Sequence, residues 1–197
     1  MTQHRQAAWI VAAFCTVFVP PGFAQSIVWT GAGAGNNWTD GANWQGGAAP
    51  TTGADVTTGS MRRYGINLDA SASVNSLTID DKYHEFDTAN ESTLTIGSGG
   101  LSKVNNGDEA RFNSSLTINL GASQTWYIAG DPYYSDDNPV RVNGSITGTG
   151  IDFVKTGSGR LILNGNNSSL SGSFILSGGY LQLGHDNALG TTTLNIN

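Results

Sequence analysis

Apolar and polar residues alternate along this chain in short runs, and turn-forming residues break each run after a few positions. Between residues 148 and 190 the pairs Leu161 and Leu163, Phe174 and Leu176, and Leu181 and Leu183 are separated by glycine, asparagine and serine. Successive side chains of a strand point to opposite faces, so this period of two predicts short strands with one buried face, and no helical period survives there. Ser26-Ile27-Val28-Trp29-Thr30, Trp126 to Ile128 and Val140 to Val142 read as further strands. Ser76-Leu77-Thr78-Ile79, Thr93-Leu94-Thr95-Ile96 and Ser115-Leu116-Thr117-Ile118 are near copies, and Thr193-Leu194-Asn195-Ile196 is similar to them. The first three leucines stand 17 and then 22 residues apart. Self-similarity near 20 residues marks coils that stack to bury one another's apolar faces. An antiparallel sandwich would announce itself through regular two-residue Asn-Gly turns, and only scattered ones such as Asn106-Gly107 and Asn143-Gly144 occur. The pattern predicts an all-β solenoid of about five to seven coils of ~20–29 residues. Leu77, Leu94, Leu116, Leu161, Leu163, Leu181 and Leu183 are its expected interior. Its asparagine, serine and threonine turns are expected to stack from coil to coil.

The last third carries a more specific pattern. Lys155-Thr156-Gly157-Ser158-Gly159-Arg160-Leu161-Ile162-Leu163 is followed by Gly165-Asn166-Asn167, by Gly172 and by Gly179-Tyr180-Leu181-Gln182-Leu183-Gly184. This arrangement resembles the autotransporter-associated β-strand repeat of bacterial secreted and surface proteins. The resemblance implies a right-handed parallel β-helix in a secreted passenger, and a scaffold rather than an enzyme. Gly157, Gly172 and Gly179 are expected at corners that need positive φ or close backbone approach. Upstream, Trp29-Thr30-Gly31, Asn36-Asn37-Trp38, Asn43-Trp44 and Pro50 are similar to the segment that often precedes such repeats. A solenoid exposes the end of its core unless a cap covers it, and Trp29, Trp38 and Trp44 are the expected cap. Gly31 to Gly35 is expected to be a flexible turn. The resulting organisation is a leader at 1–24, a tryptophan-rich cap segment at 25–60, degenerate coils at 61–147 with an acidic loop at 131–139, and the repeat at 148–197.

The leader is read from its own layout. His4 and Arg5 precede an apolar run from Ala7 to Val19, which Pro20 and Pro21 break, and Gly22 and Ala24 supply the small residues a signal peptidase recognises. The run is shorter than the ~20 residues that cross a bilayer, so cleavage after Ala24 and export are expected, with no membrane span afterwards. The location implied is secreted or at the cell surface. The single cysteine, Cys15, lies inside the leader, so the mature chain has no disulfide and must be held by ladder hydrogen bonds and burial.

Charge narrows the partners. Formal net charge is −6, and loss of Arg5 with the leader makes it −7. Without a basic cluster beyond Arg62-Arg63 the chain repels phosphate backbones, which excludes a nucleic-acid partner. Catalytic patterns are missing in turn. There is no G-x-S-x-G elbow, no Walker lysine, and no helix after Gly31 to Gly35 to hold a pyrophosphate. His84 and His185 sit beside Glu85 and Asp186 in turn-like surroundings and read as solvated, and two isolated histidines do not make a zinc site. No cofactor or metal is expected. Adjacent acids such as Asp80-Asp81 and Asp136-Asp137 point to opposite faces of a strand, so neither pair alone can straddle a glycosidic bond.

Asp131-Pro132-Tyr133-Tyr134-Ser135-Asp136-Asp137-Asn138-Pro139 interrupts the rhythm and reads as a side loop. Insertions of this kind often form a solenoid's binding face. Asp131, Tyr133, Tyr134, Asp136 and Asp137 are therefore the candidate ligand contacts, with an extracellular glycan or a host or matrix surface as partner. The aspartate spacing fits neither an EF-hand nor a calcium-binding nonapeptide. A non-catalytic stalk or adhesion scaffold is the function expected, with a carbohydrate-binding or polysaccharide-degrading β-helix as the alternative. The chain stops at Asn197 just after Thr193 to Ile196, without barrel strands or a sorting signal, as in a passenger fragment, and its last coil is expected to be open and to self-associate.

Overall fold

A computed structural model describes residues 26–59, 65–80, 84–104, 108–130 and 139–197. The alternating segments fold as strands β1 (Ser26–Trp29), β2 (Ala54–Thr58), β3 (Gly65–Asn67), β4 (Ala72–Ile79), β5 (His84–Asp87), β6 (Thr93–Lys103), β7 (Ala110–Phe112) and β8 (Thr117–Leu120). They continue as β9 (Gln124–Ile128), β10 (Val140–Val142), β11 (Ile146–Thr156), β12 (Arg160–Leu163), β13 (Leu170–Leu176), β14 (Tyr180–Leu183) and β15 (Thr193–Ile196). One 3-10 turn at Gly41–Asn43 is the sole helical element among the described residues, and Asp40 caps it by accepting from the Ala42 N–H at 3.0 Å.

Every strand pair in the two sheets is parallel. One sheet runs β1-β2-β4-β6-β8-β11-β13-β15, with β9 bridging β6 and β11, and the other runs β14-β12-β10-β7-β5-β3. The chain passes from one sheet to the other and back, making a parallel β-solenoid of about six turns. Ile66, Phe86, Phe112, Val142 and Leu163 stack in register through the smaller sheet, all within about 1 % of full burial. In the larger sheet Phe153 stacks on Phe174, ring centroids 4.8 Å apart, and Trp126 meets Phe153 edge-on at 4.8 Å. Each fully buried side chain of this size contributes about 1.5–3 kcal/mol, so the continuous interior stabilises a chain that has no disulfide in its coils.

The coils are unequal. Side chains bonded between successive coils are 20 or 21 residues apart at Asp55 with Asn75 and Ser76, 28 at Thr117 with Ser145, and again 21 at Asn143 with Asn164. The Leu-x-Ile copies are not one coil apart either. Leu77 stacks on Leu101, whereas Leu94 stacks between Ala72 and Ile118, and Leu116 lies just outside β8. The reason is that each middle coil lays two short segments end to end along the larger sheet in one crossing. Register shifts at Asn75, at Gly97 to Gly99 and after Gly148 split each crossing into two alternating segments at a bulge. Of the seven expected interior leucines, five are fully buried, Leu181 is half-buried and Leu183 is 47 % exposed, because no strand lies over β14.

Candidate functional surfaces

The repeat corner is built around a lysine. Lys155 occupies an inward position of β11, stacked between Trp126 and Leu176, and its side chain is fully buried. Its Nζ donates to the carbonyls of Thr156 at 2.9 Å, Gly157 at 3.0 Å and Gly178 at 2.9 Å. Three donors thus meet three acceptors from two successive coils. Burial pushes the ammonium down to about 8, while the three carbonyls favour the protonated form, so it is charged at neutral pH. Replacing Lys155 by methionine leaves three corner carbonyls without their donor and is expected to lower unfolding stability by about 2–3 kcal/mol. A urea midpoint equal to that of the parent chain would remove the corner role.

Glycine is required around that nitrogen. Gly157 has φ 76° and Gly179 φ 69°, and a Cβ on Gly179 would lie 2.4 Å from the Gly159 carbonyl oxygen and 2.8 Å from Lys155 Nζ. Gly172, with φ 118°, sits inside β13 opposite the bulge, where a Cβ would approach the Ile151 carbonyl at 2.2 Å. Gly159 and Gly165 have ordinary φ but no room, with Ala129 and Gly144 carbonyls at 2.5 and 1.9 Å from the added carbon. Asn167 is buried and ties three coils together: its Oδ1 accepts from the Ile146 N–H at 2.6 Å and its Nδ2 donates to the Ala188 carbonyl at 2.6 Å. Lys103 is a second fully buried lysine, in register between Ile79 and Ile128, and burial lowers it to about 8 against the charge of Asp108.

At the other end, Trp29, Trp38 and Trp44 are buried and pack edge-on, Trp44 lying 4.9 Å from Trp29 and 4.7 Å from Trp38. Trp44 Nε1 donates to the Trp38 carbonyl at 2.7 Å. The segment also reaches the first strand of each sheet. Gln45 N–H bonds to the Val28 carbonyl at 2.8 Å, and Asn36 and Trp38 exchange bonds of 2.8 Å with Asn67. Gly33 is not in an open turn: its N–H donates to Asn43 Oδ1 at 2.9 Å, and a Cβ there would meet that oxygen at 2.7 Å. Substitution at Gly33 is therefore less tolerated than a flexible turn implies, although the obstruction is side chain rather than backbone.

The outer faces are polar. On the smaller sheet Glu109 Oε1 accepts from Arg141 Nε at 2.6 Å and from Arg111 Nε at 3.1 Å. Burial alone would raise the Glu109 carboxyl, but bonds from the two arginines prevail and hold it below the usual range. A carboxylate with a lowered folded value stabilises the protein above the unfolded value near 4.3, and that stabilisation is lost as pH falls through the folded value. Glu109→Gln is expected to flatten this acid limb and to leave the pH dependence near pH 8 unchanged, because the carboxylate is ionised there in both states. Thermal melts between pH 2.5 and 8 check it, and parallel curves for both proteins would contradict it. Along the bulge of the larger sheet a shallow cavity of about 290 Å³ is lined by Ser98, Gly99, Ser123, Gln124, Thr125, Asp152 and Val154. Asp152 accepts from the Ser173 hydroxyl there, and its N–H donates to Ser123 Oγ at 3.0 Å.

His84 corrects the expectation of two solvated histidines. It is 1 % exposed, at the inward first position of β5, with its ring 6.4 Å from Phe86, while His185 is exposed. Asp131, Tyr133, Tyr134, Asp136 and Asp137 lie outside the described residues, as do the leader, Asp81 and Arg62-Arg63. Among the described residues no group of three or more His, Cys, Asp or Glu is placed to hold a metal ion, and no helix is long and apolar enough to cross a membrane.

Residues 153–183 match the family model of the passenger-associated-transport-repeat. The matched span runs from Phe153 to Leu183 and contains the Lys155 corner, Asn167, Gly172 and Gly179. No curated protein and no solved structure matches the chain. The repeat and the β-solenoid together fit an autotransporter passenger repeat protein.

Proposed function

We propose that this protein is the structural shaft of a secreted passenger, which holds contact loops away from a bacterial surface and has no catalytic task of its own. The observation that carries the reading is the unbroken coil-on-coil core, continued into the matched repeat by the Lys155 corner. A passenger repeat implies an extracellular or surface location. Cleavage after Ala24 is the route of export within this reading, and the three tryptophans serve as its N-terminal cap.

The topology supports one edge of the shaft as the contact edge. Residues 60–64, 81–83, 105–107 and 131–138 each connect a strand of the larger sheet to the next strand of the smaller one. Tyr64, Tyr83, Tyr133 and Tyr134 belong to these connections, four of the chain's six tyrosines. Tyrosine supplies an amphipathic contact surface at low entropic cost, a property shared by many binding loops. Asp131, Tyr133, Tyr134, Asp136 and Asp137 are the proposed contacts for a glycan or matrix surface. The test replaces 131–138 by a glycine-serine linker of equal length and probes both proteins on arrays of defined glycans and purified matrix proteins. Binding by the parent, lost in the linker variant at an unchanged melting temperature, supports the shaft with its loop. Absence of binding by the parent rejects adhesion, and release of cleaved glycan products would establish the degrading alternative.

A further inference from the structure

The register shifts of the larger sheet fall at the same place in successive coils, so the bulged residues form one row across its outer face. The row carries short polar side chains tied from coil to coil. Asn75 Nδ2 donates to Asp55 Oδ1 at 2.7 Å, and Asn75 Oδ1 accepts from the Gly99 N–H at 3.3 Å. Further along, the Asp152 N–H donates to Ser123 Oγ at 3.0 Å, and the Ser173 hydroxyl donates to Asp152 Oδ1. The hollow of about 290 Å³ lies between these two tied stretches, with Ser98 on one side and Ser123 on the other. One rim is the bare backbone of Gly99, where a Cβ would meet Asn75 Nδ2 at 2.9 Å and Ser76 Cβ at 2.7 Å. The floor is fixed by buried Gln124. Its Nε2 donates to the carbonyls of Ile96 at 3.0 Å and Ala122 at 3.1 Å, and its Oε1 accepts from Trp126 Nε1 at 2.9 Å. The hydroxyls of Ser98 and Thr125 are exposed, and among the described residues neither has a hydrogen-bond partner. Beside the hollow, Val154 stands in register between Thr125 and Ile175 and forms an apolar shelf. Tyr127, the next outward position of β9 after Thr125, is 44 % exposed, because its neighbours in register, Ser102 and Thr156, are short.

We propose that this hollow, its shelf and Tyr127 bind a neutral glycan, at a site separate from the 131–138 loop. The hollow is near the lower end of small-molecule sites, about 300 Å³, and takes one sugar ring while the rest of the oligomer lies in the open. Asp152 Oδ1 is engaged by Ser173, which leaves Oδ2 to accept from sugar hydroxyls. The hydroxyls of Ser98 and Thr125 both donate and accept, so they match the mixed donors and acceptors of a sugar edge. Val154 receives the apolar C–H face of the ring, and Tyr127 presents its own ring to the next sugar. Thr125 and Tyr127 are two residues apart on one strand, about 6–7 Å, so a single oligosaccharide reaches both. Because Gln124 holds the floor in place, binding costs little ordering of the protein. Charge selects the class of glycan. Asp152 is the one charged residue lining the hollow, in a chain of net charge −6, and it repels the carboxylates or sulfates of an acidic glycan. A lysine-bearing peptide would answer Asp152 but leave the hydroxyls and the apolar shelf unused.

The experiment titrates the full chain with neutral hexose and pentose oligosaccharides of α and β linkage, with acidic oligosaccharides, and with a lysine-rich peptide. Calorimetry is run up to about 10 mM ligand, where even a weak site fills. At least one neutral oligosaccharide is expected to bind, and the acidic ones are not. Asp152→Asn and Tyr127→Ala are each expected to weaken that binding about tenfold or more at an unchanged melting temperature, whereas Tyr127→Phe keeps it. Should Tyr127→Ala melt below the parent, ligand-induced shifts of the Thr125, Tyr127 and Asp152 amide signals in the parent supply the same reading. No neutral oligosaccharide bound, preference for the acidic ones or for the peptide alone, or binding that Asp152→Asn and Tyr127→Ala both leave intact each overturns the proposal. Replacement of 131–138 by the glycine-serine linker is expected to leave this binding in place. Binding lost in the linker variant and kept in the face variants would support the loop and overturn the hollow, so the two readings fail separately.

Discussion

Changing Gly179 to valine is expected to destabilise the folded chain by about 3 kcal/mol or more, and at the upper end to prevent folding. Two costs act at this position. The backbone has φ 69°, which strains a β-branched residue by about 1–3 kcal/mol. The added carbon would also lie 2.4 Å from the Gly159 carbonyl and 2.5 Å from the Gly157 carbonyl, both backbone atoms of the coil beneath, so no side chain can turn aside to relieve the contact. Any shift of that corner also disturbs the three bonds of Lys155 Nζ, so the loss should be cooperative with Lys155→Met rather than additive. Chemical denaturation of the two single variants and the double variant checks this. A Gly179→Val midpoint within error of the parent would show that the corner relaxes. Gly150 is a useful control, since its φ of 66° is similar but nothing lies within 4 Å of an added carbon.

Truncating Trp44 to alanine is expected to cost about 3–5 kcal/mol, the range for removing a buried tryptophan. Trp44 is the middle ring of three, and its loss leaves Trp29 and Trp38 without their edge-on partner and the Trp38 carbonyl without its donor. The consequence should be local first. The amides of β1 and β3 lose the segment that covers their free edges, so hydrogen exchange should accelerate there and at β2 before it does at β12 or β13. A stack of coils behaves as a series of neighbour interactions, which is why damage at one end spreads inward gradually. Uniform acceleration through all strands would show instead that the stack unfolds as one unit. Protected β1 and β3 amides with an unchanged midpoint would mean that the rings do not cap the core.

Much of this architecture is written in local pattern. The alternation in Tyr180 to Leu183 and in Leu161 to Leu163 identifies strands, whereas their parallel pairing is implied by the repeat resemblance and not by the spacing, since about 20 residues also accommodate a hairpin. Gly157, Gly172 and Gly179 are legible as corners because glycine recurs where the alternation stops, and their positive φ agrees. Lys155 and Asn167 are visible as motif letters, but their roles are not. Each serves backbone groups of a coil about 21 to 23 residues away, and no local spacing states which coil lies beneath. Lys103 was absent from the expected interior, although Leu101-Ser102-Lys103 holds it at an inward position by simple alternation. A charged residue in an apolar register is read as an exception to the pattern until its neighbours are known. His84 shows the reverse, a polar residue beside an acid that reads as solvated and is packed against Phe86.

The leucine copies mark the boundary between the two kinds of information. Their likeness is real, yet Leu77 pairs with Leu101 and Leu94 with Ile118, because bulges at Asn75 and at Gly97 to Gly99 give one coil two similar segments. Sequence by itself determined that the coils are built of β-strands, that they repeat, that the strands have one apolar face, and where glycine must turn the chain. Those properties depend on neighbours one or two residues away. The tertiary structure alone decided the length of each coil, the register of every ladder and the burial of two lysines. Those properties arise where residues 20 to 29 positions apart meet, and the unequal connections between strands set which residues those are.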